Sequence, residues 1–229
     1  MQTQTHALIG AYVFGRRDAA LMMSAALAGI APDVPMFAIV AALAAAGHSG
    51  AEIFGHDYFQ PWWQHINGVA HSLILWPLVL VTALLARRRA PAARAAALLL
   101  AAASAGLAHA GIDFLCHRDD AHMQFWPLSS WKFMSPISYY DPEHFGVPVA
   151  IFESVLGLFM LWRLFGFARR RWSRGLILLV ALPYLATLLL LPVQLARAGW
   201  AHPGHNPRAG PSLRPTIATS LPGTSSRAA

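Results

Sequence analysis

Apolar residues run along this chain in long blocks separated by short polar or arginine-rich stretches. Neither the alternation of a half-buried strand nor the narrow stripe of a surface helix is present. A helix needs about 20 residues to cross a bilayer core, and blocks 92–116, 147–167 and 176–196 are that long. A fourth block, 69–86, is slightly shorter and ends at the run Arg87, Arg88, Arg89. Blocks 7–14, 19–30 and 36–46 are half-length, and Arg16-Arg17 joins the first two as a tight helical hairpin. Pro32 and Pro35 are expected to end the block at 30, since proline cannot continue a helix. Segment 48–64 carries Tyr58, Phe59, Trp62 and Trp63 and reads as a helix lying at the membrane interface. Segment 117–146 reads as an external polar loop, and residues 199–229, rich in Pro, Gly, Ser and Thr, as a disordered tail. The pattern predicts an all-α polytopic bundle over 1–198, with about four long spans and an N-terminal hairpin of shorter helices.

Composition narrows the class. The chain is 56% hydrophobic before its 17 glycines are counted, and only 12% charged. A soluble domain carries about twice that charge, so an integral membrane protein remains. The single cysteine, Cys116, excludes a disulfide scaffold and a Cys-rich zinc module. The net charge of +7 would suggest nucleic acid in a soluble protein. Here 16 of the 17 basic residues are arginines gathered at the ends of apolar blocks, which marks cytoplasmic loops instead.

That charge pattern orients the helices. Arg87, Arg88, Arg89 and Arg94 lie in one loop, and Arg169, Arg170, Arg171 and Arg174 in another. With those loops and Arg16-Arg17 inside, segment 117–146 lies outside. His6, Asp33, His71, His109 and Asp113 then all fall at the outer ends of their helices. Five ionisable residues from four distant segments are thereby expected at one membrane face. Ionisable residues inside spans are functional candidates.

His109 and Asp113 are four residues apart, so both project from one face of a helix. Histidine is in excess, with 11 residues against 10 carboxylates. No thiolate set exists, so any metal ligands are imidazole nitrogen and carboxylate oxygen. That donor set suits a divalent metal, zinc first, with manganese or iron as alternatives. Such a cation activates water for attack on an ester or phosphate. His117, His122 and His65 are weaker candidates for the metal or the substrate, and Glu153 is a weak candidate base. Asp119 and Asp120 read as solvated loop charges, His48, His56 and His144 as interfacial, and His202 and His205 as tail residues. Segment 135–146 reads as a lid without a mechanism.

Several motifs carry a family likeness. Thr5-His6, Gly29-Ile30-Ala31-Pro32-Asp33, His71-Ser72, and Gly106-Leu107-Ala108-His109 followed by Asp113 resemble the YdjM-like family, and Trp126-Pro127 matches as well. The resemblance covers about residues 5–145. It implies a bacterial inner-membrane, metal-dependent hydrolase, with His6, Asp33, His71, His109 and Asp113 as ligands or near neighbours. The chain departs from the family at Asp33-Val34-Pro35, where a second aspartate is usual, and around His65, which falls out of register with the family's histidine motif. A fainter likeness, in the order of His and Asp, is to zinc-dependent phospholipase C and related nucleases.

The expectation is a multi-pass hydrolase of the bacterial inner membrane, with its site toward the external face. It would use a metal-activated water on a small-molecule or lipid-like substrate bearing a phosphate or ester, and its partners would be the bilayer and that substrate, not nucleic acid. The alternatives are a transporter or proton/metal relay using the same residues, and a non-catalytic interaction protein in which the polar cluster ties helices together.

Overall fold

A computed structural model describes residues 1–15 and 18–197, the last five by backbone alone. Arg16 and Arg17, expected at the hairpin turn, and the expected tail 199–229 lie outside the described residues. Within them the chain is all-helical. The helices are α1 (Thr3–Ile9), continued by a wider turn over Gly10–Gly15, α2 (Ala19–Ile30), α3 (Val34–Ala45), α4 (Gly50–Gly55), α5 (Pro61–Ala70), α6 (Leu75–Arg89), α7 (Arg94–Cys116), α8 (Gly146–Phe165) and α9 (Arg171–Arg197). Met1–Leu191 form one compact unit.

Among the described residues five stretches, not four, are long and apolar enough to cross a membrane: Ala19–Ala45, Pro61–Arg89, Arg94–Cys116, Gly146–Phe165 and Arg171–Pro192. The fifth arises because Pro32 and Pro35 do not stop the chain. Each sits in the first turn of a new helical segment, where the missing N–H has no partner to lose. α2 therefore passes through a tight turn, Ala31–Asp33, directly into α3. Segment 48–64 is likewise not one interfacial helix. It divides into α4, a short turn at Asp57–Phe59 and the start of α5. Trp63 is fully buried there, and Met36, Ile39, Val40 and Leu43 of α3 pack around it with Ile53 and Tyr58.

The second span is also interrupted, between α5 and α6. A break in a membrane helix must have its backbone groups satisfied by protein, and the segment after α7 does this. Leu73 N–H donates to the Gln124 carbonyl at 2.7 Å, and Ser72 Oγ donates to the Trp126 carbonyl at 2.6 Å. Ser72 Oγ in turn accepts from Ile74 and Leu75 N–H, which caps the start of α6.

Small residues bring the remaining helices close, as in other membrane bundles. Ala25 of α2 meets Ala101 and Ala105 of α7. The Trp76 ring of α6 lies over Gly106, which has no room for a Cβ. α1 runs antiparallel to α2, and Leu8 packs on Met160, Leu161 and Tyr184 of α8 and α9. The outward faces of α8 and α9 stay apolar and exposed, for example Phe152, Trp162, Leu182 and Leu189. Such a surface is the lipid-facing side of a bundle.

Candidate metal centre

Each interrupted span presents one ligand at its break. Asp33 closes the turn between α2 and α3, and His71 is the first residue beyond α5. His109 and Asp113 occupy the last two turns of α7. His6 comes from α1. All five are buried. The structure brings these five together, and Asp33, His71, His109 and Asp113 form the group spaced to hold a metal ion.

Tautomers follow from outer partners. His109 Nδ1 donates to the Gly29 carbonyl at 2.7 Å, and His71 Nδ1 donates to the Asn67 carbonyl at 3.1 Å. A backbone carbonyl on one ring nitrogen orients the other toward a cation in metal sites. The two Nε2 atoms are left facing each other, 3.2 Å apart. Asp33 Oδ1 stands 3.5 Å from each of them. Asp113 Oδ2 stands 3.6 Å from His71 and 3.0 Å from His109. Among the described residues no arginine or lysine pairs with either carboxylate. Lone pairs and negative oxygens thus converge on a point that requires positive charge, either a proton on one ring or a cation shared by all four.

The 3.0 and 3.2 Å separations are hydrogen-bond distances, and the set as a whole could also hold a cation. Ligands on a tetrahedron around zinc, with bonds of about 2.0–2.1 Å, stand about 3.3 Å apart. The five separations given above run from 3.0 to 3.6 Å. The four ligand atoms all lie within 4.8 Å of one another.

Asp113 also faces the other way. Its Oδ1 lies 2.9 Å from His6 Nε2, 3.4 Å from His117 Nε2 and 3.0 Å from the Met1 amino nitrogen. The His6 ring stacks on His109 with centroids 3.7 Å apart. Asp113, Cys116 and His117 form a second group with metal-ligand spacing. One carboxylate therefore serves two donor sets.

Comparison with protein-family models, with curated proteins and with solved structures returns no match. The likeness to the YdjM-like family therefore rests on the motif residues alone.

The weaker candidates separate. His117 is buried and its Nδ1 lies 2.8 Å from Asp120 Oδ2. Burial opposes its charge, but the Asp113 and Asp120 carboxylates outweigh burial and push its pKa up to about 9. His122 is buried and stacks on His71 with centroids 3.9 Å apart. Burial, and after it the neighbouring His71 and His117, hold it well below the usual imidazole range. His65 is exposed on α5. Glu153 Oε1 accepts from the Gln2 N–H at 2.8 Å and the Thr5 hydroxyl at 2.5 Å, so it anchors the N-terminal segment. His48 and His56 both pair with Asp57, and His144 with Asp141.

Sequence reasoning missed four participants. Thr3 Oγ1 donates to Asp33 Oδ2 at 2.5 Å, and the Gly29 and Asn67 carbonyls hold the two rings. Asp120, read as solvated, instead partners His117, and the three-residue spacing from His117 was the available signal. Segment 135–146 is not an unexplained lid. Ser135 Oγ donates to the Leu115 carbonyl at 2.6 Å, while Ser135 and Tyr139 N–H donate to the His117 and Cys116 carbonyls, both at 3.0 Å. These bonds satisfy carbonyls that the end of α7 leaves without helical partners.

Proposed function

We propose that this chain is a membrane-embedded, metal-dependent hydrolase of esters or phosphoesters, its centre built from Asp33, His71, His109 and Asp113, with His6 and His117 on the second face of Asp113. The observation that carries this reading is four buried acceptor atoms within 4.8 Å of one another, two of their residues lining a cavity from which water could complete a metal's coordination. A divalent cation bound there supplies Lewis acidity, acidifying water and polarising an ester oxygen. The residues do the rest. The Gly29 and Asn67 carbonyls accept from the two Nδ1 atoms and aim both Nε2 atoms inward. Thr3 holds the Asp33 carboxylate in place. Asp33 and His71 line a cavity, so one side of the cluster is open to a substrate.

A relay along the membrane fits less well. Among the described residues, the buried ionisable side chains of the His, Asp and Glu types within the spans are Asp33, His71, His109, Asp113 and Glu153. Four of them meet at one point, which does not make a path. The deciding measurement is hydrolysis of 4-nitrophenyl esters and phosphoesters by detergent-purified protein, before and after chelation. Activity that falls on chelation and returns with zinc or manganese is expected. Activity indifferent to chelation, or none with metal bound, ends this reading.

Zinc heads the proposed metals because its bond lengths fit, with manganese and iron as alternatives. We also place the chain in a bacterial inner membrane, with the centre toward the outside, on the arginine pattern. A reporter fused after Arg89 is expected to read cytoplasmic, and one within 119–132 external. The reverse pattern would invert the orientation.

A further inference from the structure

The cavity beside the centre has a volume of about 480 Å³, within the range of ligand sites. Asp33, His71 and His122 form part of its polar end. Met36, Phe54 and Phe59 form an apolar wall. Met36 lies three residues beyond Asp33, about one helical turn away. Phe54 and Phe59 are about half exposed, so the wall reaches the molecular surface. α3, which supplies Met36, has no buried residue and belongs to a stretch apolar enough to cross a membrane. The wall is therefore continuous with the lipid-facing surface. An apolar chain can pass from the bilayer along Met36 with its polar end toward the centre.

Among the described residues lining the cavity there is no arginine and no lysine, but Asp33 and Asp120 are accompanied by the Met1 amino group and by His117, which pairs with Asp113 and Asp120. Charge at the polar end is therefore balanced and admits a neutral or an anionic ester. Asn67 offers it a partner. Its side chain is buried and lines the cavity, and apart from its approach to the Tyr58 hydroxyl its amide makes no hydrogen bond. Buried amides without partners are rare, and an ester oxygen would accept from this one.

We propose that the cavity binds a long-chain ester, with its chain against Met36, Phe54 and Phe59 and the ester beside Asn67, Asp33 and His71. This rests on the hydrolase reading above. In the reaction the water oxygen bonds to the ester centre and the bond to the leaving oxygen breaks. One proton of the water ends on the leaving group, giving an alcohol and an acid.

The test uses the full chain, metal-loaded, in mixed micelles. The probes are 4-nitrophenyl hexadecanoate against 4-nitrophenyl acetate, and hexadecyl 4-nitrophenyl phosphate against methyl 4-nitrophenyl phosphate. The two pairs separate carboxyl esters from phosphodiesters. In at least one pair the long-chain member is expected to have a kcat/KM at least about tenfold higher, given the apolar area it buries. Met36→Trp, which fills the wall, should bring that long-to-short ratio toward one. Equal rates on long and short members, or a ratio untouched by Met36→Trp, would each overturn the inference while leaving the hydrolase standing. Failure on every probe with metal bound would remove both.

Discussion

Asp113→Ala is expected to strip the centre of metal more completely than any other single change. Asp113 is the one side chain that faces both donor sets: Oδ2 meets His71 and His109, and Oδ1 meets His6 and His117. Removing it deletes a ligand and leaves several imidazoles without their shared acceptor in a buried site. Loss of outer partners alone costs metal sites about 10–100-fold in affinity, so a loss of at least about 100-fold is expected here. His109→Ala should lose nearly as much. Glu153→Gln, altered at the anchor of the N-terminal segment, should keep its metal. Elemental analysis of the purified variants, each checked for folding by thermal unfolding in detergent, reads this directly. Equal metal content in wild type, Asp113→Ala and His109→Ala would mean that a proton, not a metal, holds the cluster together.

Gly29→Val is expected to disrupt the centre although Gly29 supplies no side-chain ligand. A Cβ at Gly29 would lie 2.5 Å from the His6 carbonyl oxygen, and because that atom is backbone no side-chain rotation relieves the clash. α1 must move off α2. That withdraws His6 from Asp113 and shifts the carbonyl that orients His109. Overpacking of this kind costs about 1–3 kcal/mol, and metal affinity should fall with it. Gly111→Ala is the matched control, since nothing lies within 4 Å of its added Cβ; exposed helical glycine to alanine is neutral or stabilising. Thermal unfolding and metal titration of the two variants should diverge. A Gly29→Val protein with the wild-type midpoint and metal content would show that the α1–α2 contact does not position the site.

The ligands were legible in the sequence because two independent regularities converge on them. The four-residue spacing of His109 and Asp113 places them on one helical face, and the arginine distribution puts His6, Asp33 and His71 toward the same side, although Asp33 and His71 fall at breaks inside Ala19–Ala45 and Pro61–Arg89, not at the ends of spans. The helix boundaries near Asp33 and His71 were harder. Proline is read as a terminator, yet Pro32 and Pro35 fall where a new segment begins, so one long span looks like two short ones. His71 breaks its span between Gly68 and Pro77, which stands in the first turn of α6, and the bonds that hold the break come from Gln124 and Trp126, more than 50 residues away. A local pattern cannot carry a partner that remote. Asp120 was misread for a related reason. Its neighbours are loop residues, and only the folded turn brings it onto His117.

The bonds from Ser135 and Tyr139 onto the end of α7 set a minimum size for the unit that holds the centre. Asp113 stands in a helical turn whose carbonyls are closed off by a segment 20 residues downstream, so a fragment cut after the last residue of α7 would fray where its carboxylate must be held still. Any working piece of this chain has to extend past Tyr139. Transplanting the His109–Asp113 helix into another bundle would carry over the donor atoms without the clasp that fixes them.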